Sequence, residues 1–186
     1  MQNSFPAPTE LLVRRLYDLA CMPRDLDSWK ARWGEYQWDQ DSLEVDPSRI
    51  QVSLPEGWIL QLFGEDGTLL GASLPFYYWE NYEPEFHDDP LEFAREKRLY
   101  DARFDGTAEL ALRSLPEPLL RWTDKDQDAH RAIAWAGTHG ILILQQACVD
   151  PQFGIEVNFW IADCPSSEFR PETPLIDWLM RRDWSI

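Results

Sequence analysis

Residues 130–163, HRAIAWAGTHGILILQQACVDPQFGIEVNFWIAD, decide the fold. Near their end the chain alternates strictly. Ile155, Val157, Phe159 and Ile161 point one way, while Glu156, Asn158, Trp160 and Ala162 point the other. This period of two marks a strand with two different faces. Residues 141–149 are apolar on both parities apart from Gln145 and Gln146, the pattern of a central strand. Gly137-Thr138-His139-Gly140 and Asp150-Pro151-Gln152-Phe153-Gly154 carry turn chemistry on either side of it. Three antiparallel strands follow, and the rest of the chain must supply a layer to cover them.

Upstream, Ile50, Val52 and Leu54 alternate with polar neighbours. The apolar runs at 58–63 and 68–74 flank Asp66-Gly67, a strong short-range hairpin signal. Thr9 caps a helix reaching about Cys21, with Leu12, Leu16, Leu19 and Ala20 as its buried stripe, and Pro23 stops it. A second helix starts near Asp25 or Asp27 and carries Leu26, Trp29, Ala31 and Trp33 to Gly34. Asp89-Pro90-Leu91-Glu92 looks like a helix start, and Phe93, Tyr100, Phe104, Ala108, Ala111, Leu112 and Leu115 keep one helical phase to Pro116. Asp105-Gly106 offers a break into two helices, since glycine costs roughly 1 kcal/mol there, but one long helix is the preferred reading. Thr173-Pro174 begins a last helix that docks through Leu175, Ile176, Trp178 and Leu179. Residues 1–8, 35–48 and 116–129 read as leader and loops. The fold class is therefore α+β, one domain over 1–186. Its mainly antiparallel sheet has about five to six strands, including a C-terminal three-stranded meander, and is packed by helices.

At 186 residues such a domain buries roughly 70% of its unfolded surface. Its ten tryptophans supply bulk for a core without cross-links. Cys21, Cys148 and Cys164 are odd in number and form no C-x-x-C, which speaks against a disulfide framework or structural zinc. The N-terminal residues show no secretory pattern, and no apolar run approaches the roughly 20 residues of a membrane helix. These features lead to an expectation of a cytoplasmic protein.

Motifs for chemistry are missing. His87, His130 and His139 have no metal spacing to one another or to a cysteine. His139 serves a turn and His130 begins a strand. Asp124-Lys125-Asp126-Gln127-Asp128 opens like a calcium loop. Ala129 then stands where glycine belongs, and Trp135 where the bidentate glutamate belongs. No nucleophile elbow, phosphate loop or dinucleotide fingerprint occurs, and no cofactor is implied.

The charge is more informative. Thirty-three acids against seventeen bases give a net of −16, which repels nucleic acids and anionic membranes and attracts cationic surfaces. No Lys or Arg occurs in residues 50–94, yet nine acids do: Glu56, Glu65, Asp66, Glu80, Glu83, Glu85, Asp88, Asp89 and Glu92. Six of them crowd between positions 80 and 92, among Tyr77, Tyr78, Trp79, Tyr82 and Phe86. Aromatic rings anchor interfaces, and carboxylates around them steer a basic partner. The expected partner-binding residues are Trp79, Glu80, Tyr82, Glu83, Glu85, Phe86, Asp88 and Asp89. On the bland reading, the rings cover the sheet edge and the acids merely face water.

The format of the chain resembles small acidic immunity proteins of bacterial toxin–immunity systems. It does so through the strand-rich ILILQQACVDPQFGIEVNFWI, the flanking helices and the acidic excess, with no diagnostic motif. The resemblance implies a non-catalytic protein that binds and occludes a cognate, cationic toxin domain. Two alternatives stand beside it. One is an enzyme with a pocket on the sheet, using Gln145, Gln146, Glu156 or His130. The other is a homo-oligomeric adaptor pairing through an exposed strand.

Overall fold

In the computed structural model the described residues are 2–4, 6–41, 49–65, 68–79, 90–123, 131–150 and 154–163. They contain nine strands and three helices in the order β1 (Gln2–Ser4), α1 (Glu10–Cys21), α2 (Leu26–Tyr36), β2 (Asp39–Asp41), β3 (Arg49–Ser53), β4 (Ile59–Glu65), β5 (Thr68–Trp79), α3 (Pro90–Ser114), β6 (Leu120–Thr123), β7 (Arg131–Ala136), β8 (Ile141–Asp150) and β9 (Gly154–Ala162). All strands join one sheet of order β2-β3-β4-β5-β9-β8-β7-β6, and every pairing is antiparallel. The α+β class and the meander β7-β8-β9 are as the sequence leads one to expect. The strand count is higher. The additional strands β1, β2 and β6 have three or four residues each and fall in stretches that read as leader or loop.

β5 is the axis of the sheet. β4 lies along its first half, and β9 takes the opposite edge from Gly71 to Tyr78. Tyr77 and Tyr78 pair with β9 and also with Ser4 and Asn3 of β1, so β1 continues the β4 side. Pro75, which cannot donate to a ladder, sits in this central strand at a register shift between Pro75 and Tyr77. The shift lets the consecutive Phe76 and Tyr77 both enter the core. A second irregularity at Phe63/Gly64 demands glycine, because a Cβ on Gly64 would lie 2.6 Å from the Thr68 carbonyl oxygen.

The inward parity of the strands and the apolar stripes of all three helices form one core. It includes Val52, Leu60, Leu62, Leu74, Trp135, Leu144, Val157, Phe159 and Ile161 from the sheet. From the helices come Leu12, Leu16 and Leu19 of α1, Trp29 and Trp33 of α2, and Tyr100, Phe104 and Ala111 of α3. Each large apolar side chain fully buried here contributes about 1.5–3 kcal/mol. The helices therefore share one face of the sheet. On the other face a smaller apolar cluster gathers Ala132, Ala134, Ile141, Ile143 and Ala162, with Leu120, Trp122 and Trp160 against it.

Local signals explain the helix ends. Thr9 Oγ1 accepts from the Leu12 N–H (3.2 Å), and Asp25 Oδ1 accepts from the Ser28 N–H (2.7 Å). Helix α2 runs past Gly34 to Tyr36 and ends where Gln37 turns left-handed at φ 59°. Helix α3 is one helix through Gly106, which is exposed. Between α1 and α2, Arg24 ties three elements together. Its Nη2 donates to the Ala162 carbonyl (2.6 Å), its Nε donates to the His139 carbonyl (3.2 Å), and its own carbonyl accepts from the Leu69 N–H (2.9 Å). His139 thus serves the β7–β8 turn. The Asp89 cap, Asp66-Gly67, the calcium-like loop, His87, His130, Cys164 and the helix expected at Thr173-Pro174 lie outside the described residues. Among the described residues, no helix is long and apolar enough to cross a membrane.

Candidate functional site

β5 ends at Trp79, whose Cα partner is Gln2, and α3 begins at Pro90. The acidic, aromatic residues expected to bind a partner link this central strand to the longest helix. Glu80, Tyr82, Glu83, Glu85, Phe86, Asp88 and Asp89 lie outside the described residues, and Trp79 is described by its backbone. One neighbouring ring can be placed. Tyr77 is buried, edge-on to Tyr100 at 4.4 Å between centroids, with the Arg103 guanidinium 5.2 Å from its centroid. It is a core residue and not an interface anchor. Its parity made it ambiguous, because the bulge at Pro75 shifts the alternation.

Of the four residues considered for a pocket on the sheet, three are described, and Gln146 lies on the face opposite Gln145 and Glu156. Gln146 faces the helices. Its Oε1 accepts from Arg131 Nη2 (2.8 Å), and its Nε2 donates to Asp101 Oδ1 (2.9 Å). Arg131 Nη1 donates to Asp105 Oδ1 (2.7 Å), while the guanidinium carbon stands 4.2 Å from the Phe104 ring centroid. Lys97 Nζ completes the group at 2.9 Å from Asp101 Oδ2. Burial works against charge on Asp101, yet hydrogen bonds from Gln146 and Lys97, and the positive charges of Lys97 and Arg131, hold its carboxyl below the usual range. This is a clamp between α3 and the strands β7 and β8, and it removes Gln146 from any pocket. His130 lies outside the described residues.

Gln145 and Glu156 do share a face, the one opposite the described helices, and Asn158 joins them. Gln145 and Asn158 are Cα partners across β8 and β9, and Glu156 lies two residues before Asn158 on the same strand. Asn158 Nδ2 donates to Glu156 Oε1 at 3.2 Å. That bond turns Asn158 Oδ1 away from the carboxylate, and the oxygen is buried with no hydrogen-bond partner. Burial pushes the Glu156 carboxyl above its ordinary range, against the lowering effect of the Asn158 bond. Next along β9, Trp160 stacks on Phe63 at 6.4 Å, and its Nε1 is also buried without a partner. A carboxyl group and two buried side-chain amides thus share this face, with the Asn158 oxygen unmet. Asn158 was legible as the same-parity neighbour of Glu156, but its pairing with Gln145 depends on a register that includes a shift at Cys148/Asp150.

Among the described residues, no group of three His, Cys, Asp or Glu side chains is placed to hold a metal ion. The architecture defines a class in structural terms: a single α+β domain in which, among the described residues, three helices pack on one face of an antiparallel sheet. No family model matches the chain, and no curated protein or solved structure matches it.

Proposed function

We propose that this protein is a binding protein of the immunity or inhibitor kind. It captures a basic protein domain through the acidic, aromatic segment around residues 79–89 and occludes it. One observation carries the reading. Residues 50–94 contain nine acids and no Lys or Arg, and six of those acids crowd between positions 80 and 92. Solubility does not require such clustering, whereas electrostatic steering of a cationic partner does. The position in the fold supports it. The segment leaves a strand paired on both edges and enters a helix that is clamped to the sheet further along, at Asp101 and Asp105. Affinity would come from the rings and association rate from the carboxylates.

The test replaces Glu83, Glu85, Asp88 and Asp89 by lysine together. Affinity capture from an extract of the source cell, at low and high salt, compares this variant with the wild type. The wild type retains a basic polypeptide at low salt and releases it as salt rises, while the variant retains at least tenfold less. Equal retention of that polypeptide by both proteins overturns the assignment.

A further inference from the structure

We propose that residues 164–186 form a strap that closes the second face of the sheet, lying as an amphipathic helix over β7, β8 and β9. The inference uses no residue of the acidic segment at 79–89 and does not depend on the partner proposed for it.

Burial requires a cover on this face. Ala132, Ala134, Ile141, Ile143 and Ala162 point away from α1, α2 and α3, yet each is 0–2% exposed. Neighbouring strands stand about 4.8 Å away in the plane of the sheet and shield the flanks of a side chain, whereas its tip is sealed only by a second layer. Without that layer an isoleucine keeps part of its surface in water, as Ile59 of β4 does on the same face at 37% exposed. The cover is therefore local. It seals β7, β8 and β9 and stops short of the Ile59 end of β4. No described element lies over these strands, and the chain buries the five side chains by itself, so the cover comes from its remaining residues.

Composition and reach select one segment. Residues 124–130, DKDQDAH, hold no large apolar side chain, and residues 80–89 carry five carboxylates in ten positions. Residues 42–48 join β2 to β3, at the opposite edge of the sheet from β6 and β7. The stretches at 66–67 and 151–153 are too short. Residues 164–186 hold Leu175, Ile176, Trp178, Leu179, Met180 and Trp184. They follow Asp163, whose N–H donates to the Leu70 carbonyl (3.3 Å) next to Ala162, itself one of the sealed residues. The ten residues from Cys164 to Thr173 reach up to about 33 Å, the length of all ten residues of β8.

The pattern of the segment fits the floor. The sequence predicts a helix from Thr173-Pro174, on which Leu175, Ile176, Trp178 and Leu179 share one side while Asp177 and Arg181 take the other. A helix of about 10 Å diameter spans two to three strands. Ala132, Ala134 and Ala162 allow it a close approach, with Trp122 of β6 and Trp160 of β9 at its sides. An apolar face of this kind, once bared, is an association surface, so the strap also keeps two copies of the chain apart.

The test reads nuclear Overhauser contacts in the full-length protein, with protonated Ile and Leu methyls and Trp rings in a deuterated background. The Ile141 and Ile143 methyls should meet Leu175, Ile176, Leu179 or the Trp178 ring. In a Leu175→Asp/Leu179→Asp variant these contacts vanish, the Ile141 and Ile143 signals move while that of Leu62 in the opposite core stays, and binding of anilinonaphthalene sulfonate rises about threefold or more. If the variant does not fold, the wild-type contacts decide. Contacts from Ile141 and Ile143 to residues 42–48, 80–89 or 124–130 instead, contacts only to a second copy in a mixed-label sample, or unmoved Ile141 and Ile143 signals in the folded variant overturn the proposal.

Discussion

Gln145 and Gln146 are adjacent in sequence and project from opposite faces of β8. Gln146 is fully buried between Arg131 (2.8 Å) and Asp101 (2.9 Å) on the helix side, whereas Gln145 stands across from Asn158 on the other. One polar pair in an apolar strand thus serves two purposes. One residue fastens a helix to the sheet, and the other stands across from Asn158, whose side-chain oxygen is unmet.

Arg131→Met tests the first purpose. The methionine stem still covers Phe104, but Gln146 Oε1 loses its donor inside the core and Asp101 loses a cation. The expected loss is about 2–3 kcal/mol, seen as a thermal midpoint lower by several degrees in calorimetry. An unchanged midpoint would mean that α3 is held by apolar packing without help from the clamp.

The same clamp sets an acid dependence. The Asp101 carboxyl titrates below its unfolded range, so its contribution is present above the unfolded value of about 4 and is lost as pH falls through the folded value. The stability difference between wild type and Arg131→Met should stay constant from pH 7 to about 5 and shrink below about pH 4. Urea titrations at stepped pH measure it. A difference that grows in acid contradicts the network.

Glu156 carries the opposite sign. With its folded pKa raised, it is harmless below the unfolded value of about 4.3 and costs stability as pH rises through the folded value. Glu156→Gln should therefore raise the thermal midpoint at pH 7, and the advantage should vanish near pH 4. A variant less stable than wild type at pH 7 would contradict the cost of burying this carboxylate.

Gly137 marks the closest approach of the β7–β8 turn to α1. A Cβ there would lie 2.3 Å from the Ala20 carbonyl oxygen, beside the Tyr17 hydroxyl that donates to the Ala136 carbonyl at 2.9 Å. Gly137→Ala must part the turn from the helix and should cost about 2 kcal/mol or more, whereas Tyr17→Phe should cost about 1 kcal/mol. Paired denaturation curves check the ranking, and an alanine variant as stable as wild type would refute the close contact.

Much of the fold was legible because it rests on strong periodicity. The alternation at Val157, Phe159 and Ile161, the stripe at Leu12, Leu16 and Leu19, and the phase of Tyr100, Phe104 and Ala111 all locate the core. The short strands were not legible. Leu120-Arg121-Trp122-Thr123 is a strand because β7 pairs with it, and three or four residues carry too little pattern of their own to announce that. The clamp was hidden for a related reason. Asp101 and Gln146 are 45 residues apart, and only the docking of α3 brings them together. Part of the polar row showed through, since Gln145 and Glu156 stood out in apolar strands, but the unmet oxygen of Asn158 belongs to the geometry.

Hydrogen exchange of the complex reads directly where a basic partner docks. With the captured polypeptide bound, peptides spanning residues 79–89 should gain protection, and the gain should fade as salt rises. Protection confined to β8 and β9, with residues 79–89 exchanging as in the free protein, would contradict the account.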